Sequence, residues 1–173
     1  MPNYTCRQDD NSVIDEQGYR PNVGIVLVNP QGKVFLGKRV YQDAWQLPQG
    51  GIQQHETPQQ AVFRELKEEV GLNPADVRVL GRTSDWLRYE LPAQFVRHHN
   101  EPVCIGQKQI WFLLGLVGPE SHIRFDQDET PEFEDYRWVD WWVPVQEVVE
   151  FKRNVYQQAL TELEPYLQQF WLK

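Results

Sequence analysis

The stretch GGIQQHETPQQAVFRELKEEVGL, residues 50–72, specifies a helix at both of its ends. Thr57 can accept from the free backbone donors, Pro58 suits the first turn, Gln60 completes a capping box, and Gly71 suits a left-handed exit. A helix is therefore expected over Pro58–Val70. At about 100° per residue, Val62, Phe63, Leu66 and Val70 share one arc that can pack on a sheet. Ala61, Glu65, Glu68, Glu69 and Leu72 share another. Carboxylates three or four residues apart oppose an isolated helix by roughly a few tenths of a kcal/mol each. A divalent cation reverses the sign of that effect, since hard ions such as Mg²⁺ take carboxylate oxygens. A solvated acidic face is the alternative. Arg64 borders the stripe and can pair with Glu56 or a helix carboxylate, and backbone at Gly50 and Gly51 can approach a ligand closely, so a site is favoured.

Working outward, VGIVLVN from Val23 reads as a largely buried strand, NPQG as a turn and KVFLGKR as its hairpin partner. Further strands are expected at Val77 to Tyr89, Gln107 to Val117 and Tyr136 to Trp141. Two more helices are expected, at Pro144 to Glu150 and at Lys152 to Gln169. The last places Val155, Ala159, Leu160, Leu163, Tyr166, Leu167 and Phe170 at helical spacing, with Pro165 expected to kink or break it. Residues 1–18 are polar and aperiodic, and are expected to form a disordered N-terminal arm. Irregular interleaving of strands and helices favours an α+β fold with a mixed β-sheet covered by helices.

The chain has 173 residues, which bounds it to about one domain, and 40% hydrophobic with 13% aromatic content excludes intrinsic disorder. Its formal charge of -8 counts against a protein that coats nucleic acid, though not against a local basic groove or a metal-bridged phosphate substrate. The N-terminus lacks a basic start and an apolar stretch, so neither signal peptide nor anchor is expected. The longest apolar run is about seven residues, against roughly 18 for a membrane helix, so no membrane partner is expected. Cys6 and Cys104 cannot make the framework of a small secreted protein, and a reduced, cytoplasmic setting follows as the simplest expectation. A monomer is the default.

Gly50, Glu56, Arg64, Glu65, Leu66, Glu68, Glu69, Gly71 and Leu72 fit the pattern GX5EX7REUXEEXGU, and on these residues the segment resembles the Nudix box. The resemblance implies an α/β/α sandwich spanning residues 19–173 that hydrolyses a diphosphate linkage with Mg²⁺ or Mn²⁺. It further implies Glu65, Glu68 and Glu69 as metal ligands with the Gly50 carbonyl, and Glu56 and Arg64 in support. Metal-assisted attack of water needs a carboxylate to accept a proton and no covalent nucleophile.

The flanking stretches GYRPNVGIVLVN, AWQLPQGGI, DWLRYELP, PVCIGQKQIWFLL, TPEF and VEFKR are similar to the bacterial RNA pyrophosphohydrolases and the related dinucleoside polyphosphate hydrolases. That likeness implies 5′-triphosphorylated RNA as substrate, with dinucleoside polyphosphates as the alternative and a non-catalytic binding module as the alternative of another class. It implies Glu132 as a further metal ligand and first candidate for general base, with Glu69 or Glu65 as rivals. Arg20, Lys38, Arg39, Arg88 and Lys108 are candidates for the phosphate path. Phe151 is a candidate to stack on a base, with core packing as its alternative, while Lys152 or Arg153 meets a phosphate. Trp138, Trp141 and Trp142 are expected to pack, and adjacent His98 and His99 point apart in an extended stretch, against a metal pair.

Overall fold

The computed structural model describes residues 13–171, with side chains through residue 168; the arm residues 1–12 and the side chain of Phe170 lie outside the described residues. Within the expected arm, Asp15 accepts from the backbone of Gln17 and Tyr19 and pairs with Lys108 at 3.1 Å, closing a turn ahead of the first strand.

Among the described residues eight strands form one mixed sheet: β1 (Tyr19–Val28), β2 (Val34–Arg39), β3 (Trp45–Gln46), β4 (Gln49–Gly51), β5 (Val77–Arg82), β6 (Leu87–Glu90), β7 (Gly106–Leu116) and β8 (Phe133–Val139). The spine is β1 paired in parallel with β7 from Tyr19↔Gly106 to Val28↔Gly115. Both strands are apolar on two faces in their C-terminal halves, as a covered parallel pair requires. The expected hairpin forms, but β1 and β2 pair only at Val28↔Val34 and then diverge. The short strands fill the fork, β3 pairing with β2 and β4 with β1. The span expected as one strand from Val77 to Tyr89 is two, because the chain bends at Ser84 and Asp85; both halves add antiparallel to β7.

Helix α1 (Pro58–Val70) lies on one face, where Val62, Leu66 and Val70 meet Val23, Ile25, Leu27 and Phe112. Its caps form as expected: Thr57 accepts from Gln60 N at 3.1 Å, Gln60 Oε1 accepts in turn from Thr57 N at 2.9 Å, and Gly71 exits at φ 82°. Helices α2 (Val143–Glu147) and α3 (Arg153–Trp171) cover the other face, with a 3₁₀ turn at Glu150–Lys152 between them. The fold is thus the expected α+β sandwich. Pro165 does not break α3, which runs through it.

Val155, Tyr156, Ala159, Leu160 and Leu163 bury the α3 stripe against Val26, Trp111 and Leu113. The Tyr156 ring meets Trp111 edge-on at 5.3 Å, and its hydroxyl accepts from Leu47 N at 3.0 Å. Helix α3 is thereby tied to the segment that fills the fork. Trp138 packs among Phe35 and Tyr136, and Trp141 joins the α3 core, so both do the packing expected of them. Cys104 is disulfide-bonded, which departs from the reduced thiol expected there.

Candidate active site

The fork between β1 and β2 sets the site, because the backbone there carries Gln46, Gln49 and Gly50 past the acidic stripe of α1. Glu65 and Glu69 are each only 8% exposed. Gly50 sits so close to Glu65 that a Cβ would collide with the carboxylate, and Glu69 Oε2 accepts from Gln49 N at 3.3 Å. Glu68 lies on the same stripe at the rim, its side chain 41% exposed.

Arg64 organises the loop that precedes the helix. Its Nε and Nη2 clasp Glu56 at 2.8 and 2.9 Å, Nη2 also reaches Gly51 O at 2.7 Å, and Nη1 reaches Glu65 Oε1 at 2.7 Å. The Arg64 fork holds the Glu56 carboxyl below its ordinary range against the opposing effect of burial, and the paired carboxylates raise the guanidinium above its own. His55, at φ 68°, makes the turn that presents Glu56.

Opposite the helix, Glu132 projects from the chain just before β8. Its carbonyl accepts from Val40 N at 3.0 Å, Arg39 Nε lies 3.3 Å from its Oε1, and Gln46 Nε2 lies 3.5 Å from the same oxygen. Lys152 closes the cleft from the 3₁₀ turn before α3. It is 3% exposed, sits 3.5 Å from Gln46 Oε1 and lies over the Tyr89 ring at 5.7 Å. Burial pushes its ammonium down to about 7, Arg39 adds to that shift, and Glu132 and Glu69 oppose it. Glu69, Glu132, Arg39 and Lys152 therefore share one electrostatic environment.

The other substrate-binding candidates divide. Arg20, Gln107 and Tyr89 are in register across β1, β7 and β6, so they share the sheet face that Lys152 covers. Lys108 is in register with Pro21 and Arg88, which puts Lys108 and Arg88 on the opposite face. There Lys108 pairs with Asp15 and lies over Trp86, and Arg88 lies over Tyr19. Phe151 meets Tyr89 at 5.8 Å and Phe95 at 6.5 Å, making an aromatic wall beside Lys152 that also packs on the core.

Sequence reasoning did not single out Asn22, Gln46, Gln49, Tyr89, Gln107 or Gln109. Gln109 Nε2 donates to Asn22 Oδ1 at 2.8 Å and to Gln49 Oε1 at 3.2 Å, while Gln107 Oε1 and Gln109 Oε1 are buried without a partner among the described residues. Polar residues at every second position, Arg20 and Asn22 in β1 and Gln107 and Gln109 in β7, are the signal: they line one face where apolar residues would otherwise stand.

Among the described residues no three His, Cys, Asp or Glu side chains stand together as a ready metal cluster, and Arg64 contacts Glu56, Glu65 and Glu68 instead. In chemistry the donors still fit a hard divalent ion, for they are carboxylate and carbonyl oxygens around a glycine whose missing side chain leaves the cradle open.

Buried carboxylates from a helix and a glycine loop, faced by an arginine and a lysine, define a site built to handle phosphate anions. The chain matches the NUDIX domain over residues 18–163 and belongs to that family. A protein of Hydrogenovibrio crunogenus described as RNA pyrophosphohydrolase is 68% identical over 161 residues, covering 93% of this chain and 98% of its own. Another so described, from Alkalilimnicola ehrlichii, is 60% identical over 155 residues, covering 90% and 86%. Among solved structures, the E. coli dihydroneopterin triphosphate pyrophosphohydrolase superposes with a TM-score of 0.64 at 22% identity, covering 83% of this chain and 97% of that one. A C. elegans Ap4A hydrolase superposes with 0.62 at 16% identity, covering 87% and 98%. These two likenesses show the fold. No helix among the described residues is long and apolar enough to cross a membrane.

Proposed function

We propose that this chain removes pyrophosphate from the 5′-triphosphate end of RNA in the cytoplasm, leaving a 5′-monophosphate. The observation that carries the proposal is the convergence of Glu69 and Glu132 with Arg39 and Lys152 at the fork, acids for water chemistry beside bases for phosphate. The identity to relatives described as RNA pyrophosphohydrolases supports the choice of RNA.

Gly50 O, Glu65, Glu68, Glu69 and Glu132 are the proposed holders of Mg²⁺ or Mn²⁺. When bound, the ion neutralises phosphate oxygens and acidifies the attacking water. Glu68 stands at the exposed rim of the same stripe, 3.4 Å from Arg64 Nη1. Glu132 is the first candidate to accept the proton of that water, with Glu69 and Glu65 as rivals; Arg64 occupies Glu65 Oε1 and Arg39 lies beside Glu132 Oε1. Glu56 and Arg64 position the loop. Arg39 offers a planar fork to phosphate, and an arriving polyphosphate favours the charged form of Lys152, whose ammonium burial otherwise suppresses. Arg20 lies on the same face, and Phe151 offers ring surface for a base beside Lys152.

The test incubates purified protein and Mg²⁺ with either 5′-triphosphorylated RNA or diadenosine tetraphosphate and quantifies products. Release of pyrophosphate from RNA at the higher kcat/KM is expected. RNA ends that stay triphosphorylated while the dinucleotide is cleaved refute the proposal in favour of a dinucleoside polyphosphate hydrolase. Binding of RNA with turnover of neither refutes it in favour of a binding module.

A further inference from the structure

After β2 the chain turns sharply at residues 40–44, closed by Arg39 N to Ala44 O at 2.9 Å and Gln42 N to Arg39 O at 3.4 Å. At its tip Tyr41 has φ 60°, in the left-handed region that a bulky residue rarely adopts, and it is 98% exposed. The fold gains nothing from this ring, which packs on almost nothing, and the backbone costs free energy that glycine would not cost. A strained residue whose side chain has no use inside the molecule indicates a use outside it. The position of the turn says where: Arg39 begins it, and Val40 N donates to the carbonyl of Glu132, so both anchors are residues of the cleft.

We propose that Tyr41 is a stacking platform at the cleft rim for a nucleobase downstream of the triphosphate-bearing nucleotide. This rests on the RNA-end reading above. The chemistry selects a base over a protein surface. Tyr41 is a single flat ring between half-buried Val40 and polar Gln42, with exposed Asp43 next, rather than part of a contiguous apolar patch, and the adjacent basic side chains Lys38 and Arg39 are paired with Glu134 and Glu132. A protein interface would need neighbouring apolar anchors. A lone π face serves a base of any identity, because every base has a π face to offer.

The experiment compares wild type, Tyr41→Gly and Tyr41→Phe on a nucleoside triphosphate and on 5′-triphosphorylated RNAs of two to six nucleotides. Glycine fits the turn without strain, so Tyr41→Gly should melt no lower than wild type. Expected for Tyr41→Gly is a rise in KM on the longer RNAs of about five- to a hundredfold, little change in kcat, and no change on the nucleoside triphosphate; Tyr41→Phe should behave as wild type. Equal KM values for wild type and Tyr41→Gly at every length overturn the proposal. Equal losses at every length also overturn it, by assigning Tyr41 to the shape of the turn. Failure of wild type to cleave any RNA is a separate outcome, which overturns the RNA-end reading itself.

Discussion

Replacing Tyr156 with phenylalanine removes one oxygen from the centre of the protein and should loosen a site that Tyr156 does not line. The ring is fully buried and meets Trp111, contacts that phenylalanine keeps, so the hydroxyl is isolated as the variable. Its loss leaves the Leu47 N–H buried without an acceptor, at a cost of about 1–3 kcal/mol. At about 2–4 °C per kcal/mol for a chain of this size, the melting temperature should fall by about 2–12 °C. Leu47 lies between Gln46, which meets Glu132 and Lys152, and Gln49, whose backbone holds Glu69. Displacement there should lower kcat/KM by about tenfold, within the roughly hundredfold that a 1 Å misplacement can cost. The assay pairs calorimetry with initial rates well below both melting temperatures. A melting temperature within about 1 °C of wild type would show that Leu47 N–H has another acceptor and that α3 does not hold the fork through this bond.

Glu69→Gln should lower kcat at least about a hundredfold with the fold retained by circular dichroism; unchanged turnover would remove Glu69 from the chemistry. Arg64→Lys keeps the charge and loses the fork that clasps Glu56, Gly51 O and Glu65, so stability should fall by about 1–3 kcal/mol in urea unfolding. Carboxyl NMR should then show Glu56 titrating at a higher pH than in wild type. Asp76 is buried and accepts from Asn73 N at 2.9 Å while His122 Nδ1 lies 2.7 Å from it; the backbone bond chiefly holds its carboxyl below the ordinary value, aided by His122 and opposed by burial. A depressed carboxylate contributes stability above its unfolded value near 3.8 that is lost as pH falls through the lower folded one. Wild type should therefore exceed Asp76→Asn by about 1–3 kcal/mol at pH 7, and the gap should close below about pH 4. A gap constant down to about pH 2 would refute this.

The elements legible in sequence were those with local signatures. Thr57, Gln60 and Gly71 define α1 by contacts within a few residues, and all three act as their types predict. The acidic stripe was legible for the same reason, since helical spacing is local geometry. The fork was not, because β3 and β4 are two and three residues long and exist only through pairing with strands already in place. Tyr89 and Gln49 belong to the site through those pairings, not through anything adjacent to them in the chain. Lys108 and Arg88 show the converse: their residue types suited a phosphate path, but strand alternation turns them to the other face. Pro165 carried a local stop signal that the packing of Ala159, Leu160 and Leu163 overrides.

The parallel pairing of β1 with β7 also bears on how the chain reaches its native state. Val23 and Ile110 are partners although roughly 87 residues separate them, so the central contact closes a large loop before it is rewarded. Strand β1 is apolar and emerges early from the ribosome, yet its permanent neighbour is synthesised much later. The hairpin with β2 and the short β4 strand cover only its opposite edge, so the edge that β7 takes stays open in the meantime. Helix α1, by contrast, can form at once, so its carboxylates exist as a stripe well before the cleft they serve. Folding should accordingly be slow for a domain of this size, and activity should appear only with the last long-range pairing.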